Sequence, residues 1–309
     1  DELKCLRSKD TATLQAADVA SPYPGRTIAP QFYWTPTTDG DLIQDYPSTM
    51  FEDGRFVNVP LMIGGMYFAQ HRSHETRHWH CKDDTNEGTG FAADAATPEQ
   101  VGSFFQDNFP RLTFADTGAL NRQYPLMEAL PQHQAYFPSA AAAYGDTVFS
   151  CPGYHLSLAF STSKSPSPVW NYRYNVLQND LVAAGLGVPH TSETPAIFGV
   201  GNTGSSDETS SYLTYNKNIV PVVMNYWISF VKSLDPNSHR HTSASQWDTF
   251  GKGKESRILL ETNRTRMEDV PEKQVKRCEF WKRLASTMEH WGLMHLIDVD
   301  ISFVGRYSI

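Results

Sequence analysis

The segment Val169-Trp-Asn-Tyr-Arg-Tyr-Asn-Val176 constrains the chain more than any other. Trp170, Tyr172 and Tyr174 occupy alternate positions, so an extended backbone gives the segment one aromatic face. A strand with three large rings on one side needs a thick apolar layer to bury them. Two helices stand out as well. Residues 219–234 read as a strongly apolar helix, and residues 271–290 as an amphipathic one in which Cys278, Trp281, Ala285 and Met288 recur at steps of three and four. Further strands are expected over 56–63, ended by Gly64, and over 257–261. Helices are expected over 3–17, over 97–107 (opened by Thr97-Pro-Glu-Gln), over 135–143 and over 149–163, with an extended segment at 28–34. Strands interleaved with helices predict a layered α/β fold.

Composition narrows the function classes. With 40% hydrophobic and 12% aromatic residues, the 309-residue chain can build a core and is not globally disordered. Its 26 basic and 34 acidic side chains give a net charge of −8, which lacks the basic footprint of a nucleic-acid binder, so no nucleic-acid partner is expected. The longest apolar run, 219–231, is broken by Pro221, Asn225 and Ser229 and falls short of the ~20 residues of a spanning helix, so no membrane span is expected. Cys5, Cys81, Cys151 and Cys278 form no Cys-x-x-Cys pair. Asn263-Arg-Thr265 is a glycosylation sequon if the chain is secreted.

Two suggestive patterns are set aside on physical grounds. Gly199-Val-Gly201-Asn-Thr-Gly204 matches the dinucleotide fingerprint by letter. It is followed by an acidic, helix-poor stretch that would repel a pyrophosphate, so it reads as a loop. His71, His74, His78, His80 and Cys81 are crowded enough to suggest Zn²⁺, but an exposed His-rich loop is the simpler reading, and no metal or cofactor is expected. Two other loops are more informative. Gly187-Val-Pro-His190-Thr-Ser-Glu193 places a histidine on a Gly/Pro-bounded loop after a strand, where α/β enzymes keep catalytic side chains, with a carboxylate three residues on that could brace it. Asp83-Asp-Thr-Asn-Glu87-Gly88-Thr89 is an acidic, glycine-bounded loop after another strand, and alone it is a turn.

Together these loops carry a resemblance. Lys4-Cys5-Leu6-Arg7, Trp34-Thr-Pro-Thr-Thr-Asp39-Gly40, Asn58-Val-Pro-Leu-Met-Ile-Gly64, Asp84-Thr-Asn-Glu87-Gly88, Phe149-Ser-Cys151-Pro152 and Trp170-Asn-Tyr172-Arg-Tyr174 lead to the histidine loop. Trp227-Ile-Ser-Phe230, Asp235-Pro-Asn237 and Arg277-Cys278-Glu279-Phe280-Trp281 come after it. In that order they resemble the C-terminal half of a type-B carboxylesterase, the cholinesterase and fungal lipase family of α/β-hydrolases. The likeness runs from Cys5 to about Met288.

The resemblance implies that Glu87 is the acid and His190 the general base of a serine esterase triad, that Glu193 supports them from behind, and that Cys151 pairs with Cys278. It implies a secreted protein acting on a small ester or lipid by an acyl-enzyme mechanism. The different-class alternative is a non-catalytic cholinesterase-like adhesion or binding protein. The chain departs from the family in two ways. No Gly-x-Ser-x-Gly elbow occurs anywhere in it. Nucleophile and oxyanion hole are therefore expected in a missing N-terminal half, the partner of Cys5 lies there too, and this chain alone is expected to be inactive. Secondly, deleting residues 65–82 joins Gly64 to Asp83 and restores the family pattern, so this stretch reads as a foreign insertion resembling a retained intron, against a genuine loop. The expected organisation is one partial domain over 1–290, with 291–309 an unmatched extension.

Overall fold

The computed structural model describes residues 2–33, 35–36, 38–65, 87–203, 210–251 and 255–289. Helices α1 (Glu2–Arg7), α2 (Thr11–Ala17) and α3 (Pro47–Glu52) precede strand β1 (Leu61–Gly65) and a single 3₁₀ turn, Glu87–Gly90. Next come α4 (Pro98–Asn108), α5 (Phe114–Gln123) and α6 (Phe137–Gly145). A π-helical turn (Asp146–Ser150) joins α6 to α7 (Cys151–Thr162). Strand β2 (Val169–Tyr174), α8 (Asn179–Ala183), α9 (Thr194–Phe198) and α10 (Ile219–Ser233) come next in the chain. The described part ends with β3 (Ser256–Leu260), β4 (Arg266–Asp269) and α11 (Glu272–Glu289).

The sheet order is β1-β2-β3-β4, with β1, β2 and β3 parallel and β4 antiparallel to β3. Every residue of β2 and β3 is buried, as parallel strands covered on both faces require. The aromatic alternation read from the sequence sets the layers. Trp170, Tyr172 and Tyr174, with Ile258 and Leu260, face the layer containing α9 and α10. Leu61, Ile63 and Val169 face the opposite layer, where α4 to α7 and α11 pack around Phe105, Tyr144 and Trp281. Gly64 is obligatory in this pairing: a Cβ there would lie 2.2 Å from the Tyr172 carbonyl oxygen.

That opposite face is also polar near β4. Arg173 grips Glu268 with two bonds of 2.7 Å, Arg257 adds a third of 2.7 Å, and Arg257 reaches Gln274 of α11 at 3.0 Å. A second buried group lies deeper. Tyr124 donates to Asp146 at 2.8 Å and accepts from the Trp281 indole at 2.7 Å, while the Arg277 guanidinium sits 4.4 Å over the Tyr124 ring and 3.6 Å from Asp146. Cys151 and Cys278 are bonded with Cα atoms 4.9 Å apart, tying α7 to α11 across 127 residues. Cys5 is a free, exposed thiol.

Several boundaries differ from the sequence reading. The single helix expected over 3–17 is two, because the Asp10 carboxylate accepts from the Thr13 amide and starts a new helix. Residues 56–60 are not strand: pairing begins at Leu61 and runs through Gly65, which sits opposite Arg173. Residues 28–33 join no sheet. Gly199 and Gly201 have φ of 89° and 84° and come after a helix rather than a strand, so the glycine-rich segment is a loop in its described part. The His-rich stretch with Cys81, the remainder of 65–82, and 291–309 lie outside the described residues.

Burial alone would raise the Glu268 carboxyl, but the Arg173 hydrogen bonds and the two guanidinium charges more than offset it and hold the pKa down to about 2, from an ordinary 4.5. The resulting stability is complete above the unfolded value and is lost as pH falls from about 4.5 towards 2. Glu268→Gln is therefore expected to be about 3 kcal/mol less stable than the parent near neutrality, with the gap closing in acid. Urea melts at neutral pH and at about pH 2.5 check this; a gap of the same size at both would exclude the charge as its source.

Candidate active site

Because β1 and β2 run the same way, the loops after them leave one edge of the sheet. The loop after β2 delivers His190. From the end of β2 a chain of hydroxyls leads to it: the Tyr174 and Tyr212 hydroxyls are 2.8 Å apart, and Tyr212 donates to the Ser192 carbonyl at 2.7 Å. A carbonyl only accepts, so Tyr212 spends its proton on Ser192 and Tyr174 donates to Tyr212. Desolvation raises the pKa of both phenols, and the Glu193 charge pushes the same way, so neither ionises near neutrality. Glu193 stands at the N-terminal boundary of α9, within the electrostatic reach of both tyrosines.

The turn itself is tight. Ser192 bonds the Pro189 carbonyl through its hydroxyl at 2.6 Å, and the Thr194 amide bonds the Thr191 carbonyl at 3.0 Å. Thr191 holds a φ of 73°, a left-handed conformation that a β-branched residue adopts only under constraint, at a cost of about 1–3 kcal/mol. The effect is to present His190 at the surface, its ring against Phe149 and Phe91, with centroids 4.6 Å and 5.7 Å away.

The acidic loop is anchored by the residues just after Glu87. A Cβ on Gly88 would lie 2.0 Å from the Ala141 carbonyl oxygen and 2.7 Å from the Gly145 nitrogen, so the turn is pressed onto α6 where only glycine fits. The buried Thr89 hydroxyl donates to the Leu186 carbonyl at 2.9 Å, bonding the acidic loop directly to the histidine loop across 97 residues. The Glu87 backbone thus stands at the head of a turn that contacts the His190 loop; its side chain lies outside the described residues. Asn263 is exposed on the β3–β4 turn with φ of 61°, its Oδ1 accepting from Asn218 at 2.9 Å. Among the described residues no group of three or more His, Cys, Asp or Glu could hold a metal ion, and no helix is long and apolar enough to cross a membrane.

Sequence reasoning picked out the histidine and the acid by motif. Thr89 and Thr191 stand in those motifs without a role and Phe91 in neither, because their importance comes from long-range contacts and a backbone angle. Phe149 was noticed only as part of a cysteine motif.

A model of the carboxylesterase family matches residues 1–281. The chain is similar to secreted lipase 4 of Gibberella zeae, 23% identical over 290 residues that cover 91% of this chain and 46% of that protein. It is also similar to neuroligin-3 of Mus musculus, 25% identical over 260 residues, 77% of this chain and 27% of that one. The crystal structure of Aspergillus niger EstA superposes with a TM-score of 0.83 at 43% identity, covering 94% of this chain and 52% of EstA. The chain thus spans about half the length of these relatives or less. The fold it shares with about half of EstA is of the α/β-hydrolase class that the sequence leads one to expect.

Thr89→Val keeps the volume and removes the bond between the loops. It is expected to cost about 1–2 kcal/mol of stability and to raise hydrogen exchange at residues 186–194. Unchanged exchange there would mean that the bond does not hold the histidine loop.

Proposed function

The chain belongs to the carboxylesterase family, and from that premise we propose that the protein is a carboxylic ester hydrolase in which His190 is the general base and Glu87 the acid, serving a serine in a segment outside these 309 residues. The observation that carries this reading is the bond from Thr89 to Leu186, which joins the acidic loop to the loop that presents His190.

The steps come from the chemistry of the groups. As the serine oxygen bonds to the ester carbonyl carbon, the imidazole takes the hydroxyl proton and the carbonyl oxygen becomes an oxyanion. The imidazolium then returns the proton to the departing alkoxide as the carbon–alkoxide bond breaks, leaving an acyl-enzyme. Water repeats the sequence, and the carboxylic acid leaves with the serine restored. The Glu87 carboxylate fixes the imidazole tautomer and stabilises the imidazolium. Glu193 is the carboxylate assigned behind the histidine turn, close enough to the buried Tyr174 and Tyr212 for its charge to oppose their ionisation. The substrate class is a small-molecule ester or lipid, no cofactor is required, and the missing half supplies the oxyanion donors.

The Cys151–Cys278 bond and the likeness to a lipase named as secreted support an extracellular protein, with Asn263 on its exposed turn as the glycan acceptor. One domain over 1–290, with 65–82 a foreign insertion and 291–309 an extension, remains the organisation we favour.

The isolated chain is expected to leave p-nitrophenyl butyrate intact. The longer protein is expected to hydrolyse it, to be blocked by a serine-directed phosphonate, and to lose 10²–10⁴-fold or more in kcat on His190→Ala. A longer protein without a serine elbow, or one indifferent to His190→Ala, would instead be the non-catalytic cholinesterase-like adhesion or binding protein.

A further inference from the structure

Proton transfer needs the His190 imidazole in one plane, and aromatic rings lie against it. Three rings meet at this point: Phe149 lies 4.6 Å from His190 with planes inclined by 31°, Phe91 lies 5.7 Å from His190, and Phe91 and Phe149 are 5.6 Å apart. Phe91 also leans on the buried Tyr144 at 6.0 Å, which roots the group in the core.

Phe149 reaches this place through an irregularity. It belongs to the π-helical turn between α6 and α7, in which the Cys151 amide bonds back five residues to the Asp146 carbonyl. The extra residue in that turn re-aims every side chain after it, and such turns recur at functional sites. This one is clamped at both ends. Three residues before Phe149, Asp146 is locked by Tyr124 and Arg277; two residues after it, Cys151 is tied to Cys278. Both clamps act on the turn that carries the Phe149 ring.

We propose that Phe149 is a positioning residue for His190: its face fixes the plane of the imidazole, and it lies against the ring when that ring becomes the imidazolium, within the ~6 Å at which a cation is attracted to an aromatic face. The inference rests on the reading of His190 as the general base. Phe91 stands beside Phe149, 5.7 Å from the imidazole, and completes the group of three rings. An aliphatic side chain of similar bulk fills the space but offers no ring face.

The test uses the longer protein that carries the nucleophile. Phe149→Leu is expected to lower kcat about tenfold, with KM within about twofold, because the substrate still binds but the base is mis-set. Phe149→Tyr keeps the face and is expected to restore most of the rate, and Phe149→Met gives a second aliphatic variant should the leucine one fold poorly. In carbon-13-labelled histidine spectra the His190 ring proton, assigned by its loss in His190→Ala, is shielded by the Phe149 ring. It should move downfield in Phe149→Leu and Phe149→Met but stay in place in Phe149→Tyr. An unmoved resonance, or equal loss of kcat in the leucine and tyrosine variants, overturns the proposal. If His190→Ala itself leaves turnover intact, it is the general-base reading that fails, and the resonance still decides whether Phe149 seats the ring.

Discussion

Three neighbouring strands running in one direction decide where everything else goes. β1, β2 and β3 are parallel, so crossovers join β1 to β2 and β2 to β3, and all three carboxyl ends point to one edge. Loops that end at Glu87 and His190 therefore begin side by side, although the two residues are far apart in sequence. The close approach of the strands is itself demanding, for Gly64 accepts the Tyr172 backbone where any Cβ would collide. The antiparallel β4 contributes no loop to that edge. Its contribution is Glu268, which pairs with both Arg173 and Arg257 on the buried face of the two central strands.

The links between α6, α7 and α11 divide into one that stabilises and one that specifies. In the chain-entropy account a loop as long as the one closed by Cys151–Cys278 contributes about 5 kcal/mol. The Asp146–Arg277 pair contributes far less, because desolvation outweighs the guanidinium and raises the Asp146 carboxyl, while the Arg277 Nε and Nη2 find no hydrogen-bond partner among the described residues. Buried pairs of this kind are roughly neutral against an apolar replacement and costly only when half is removed. Their product here is geometric: the π-turn has one arrangement in which Asp146 meets both Tyr124 and Arg277, and that arrangement points Phe149 at the site.

The elements visible from sequence were those whose burial leaves a period. The alternating rings of β2 and the apolar run of α10 are read directly, because each faces the same aromatic layer. β4 has no such period: Arg-Met-Glu-Asp is recruited to the sheet edge by Glu268 meeting two arginines from other strands, which no local pattern reveals. α5 escaped although its signal was local, a capping box between Thr113 and Asp116. At the site the division is the same. His190 and Glu87 came from ordered motifs, whereas Thr89 acts on a carbonyl 97 residues away and Thr191 matters through its φ of 73°, neither of which has a one-dimensional signature.

On the proposed reading of Glu87 as the acid and 65–82 as an insertion, the acid is delivered through a lengthened connection. What places it lies on the other side of the residue. Gly88 is pressed against the Ala141 carbonyl and the Gly145 nitrogen, Thr89 is bonded to Leu186, and the Phe91 amide bonds the Gly88 carbonyl at 3.0 Å. These contacts place the Glu87 backbone from its carboxyl side, using α6 and the histidine loop as the template. The preceding tether then has only to close, and closure entropy grows slowly with length, about 0.6 kcal/mol for each doubling. A loop anchored at its carboxyl end tolerates change at its amino end. An insertion at 65–82 is thus compatible with the acid standing where the rest of the chain holds it.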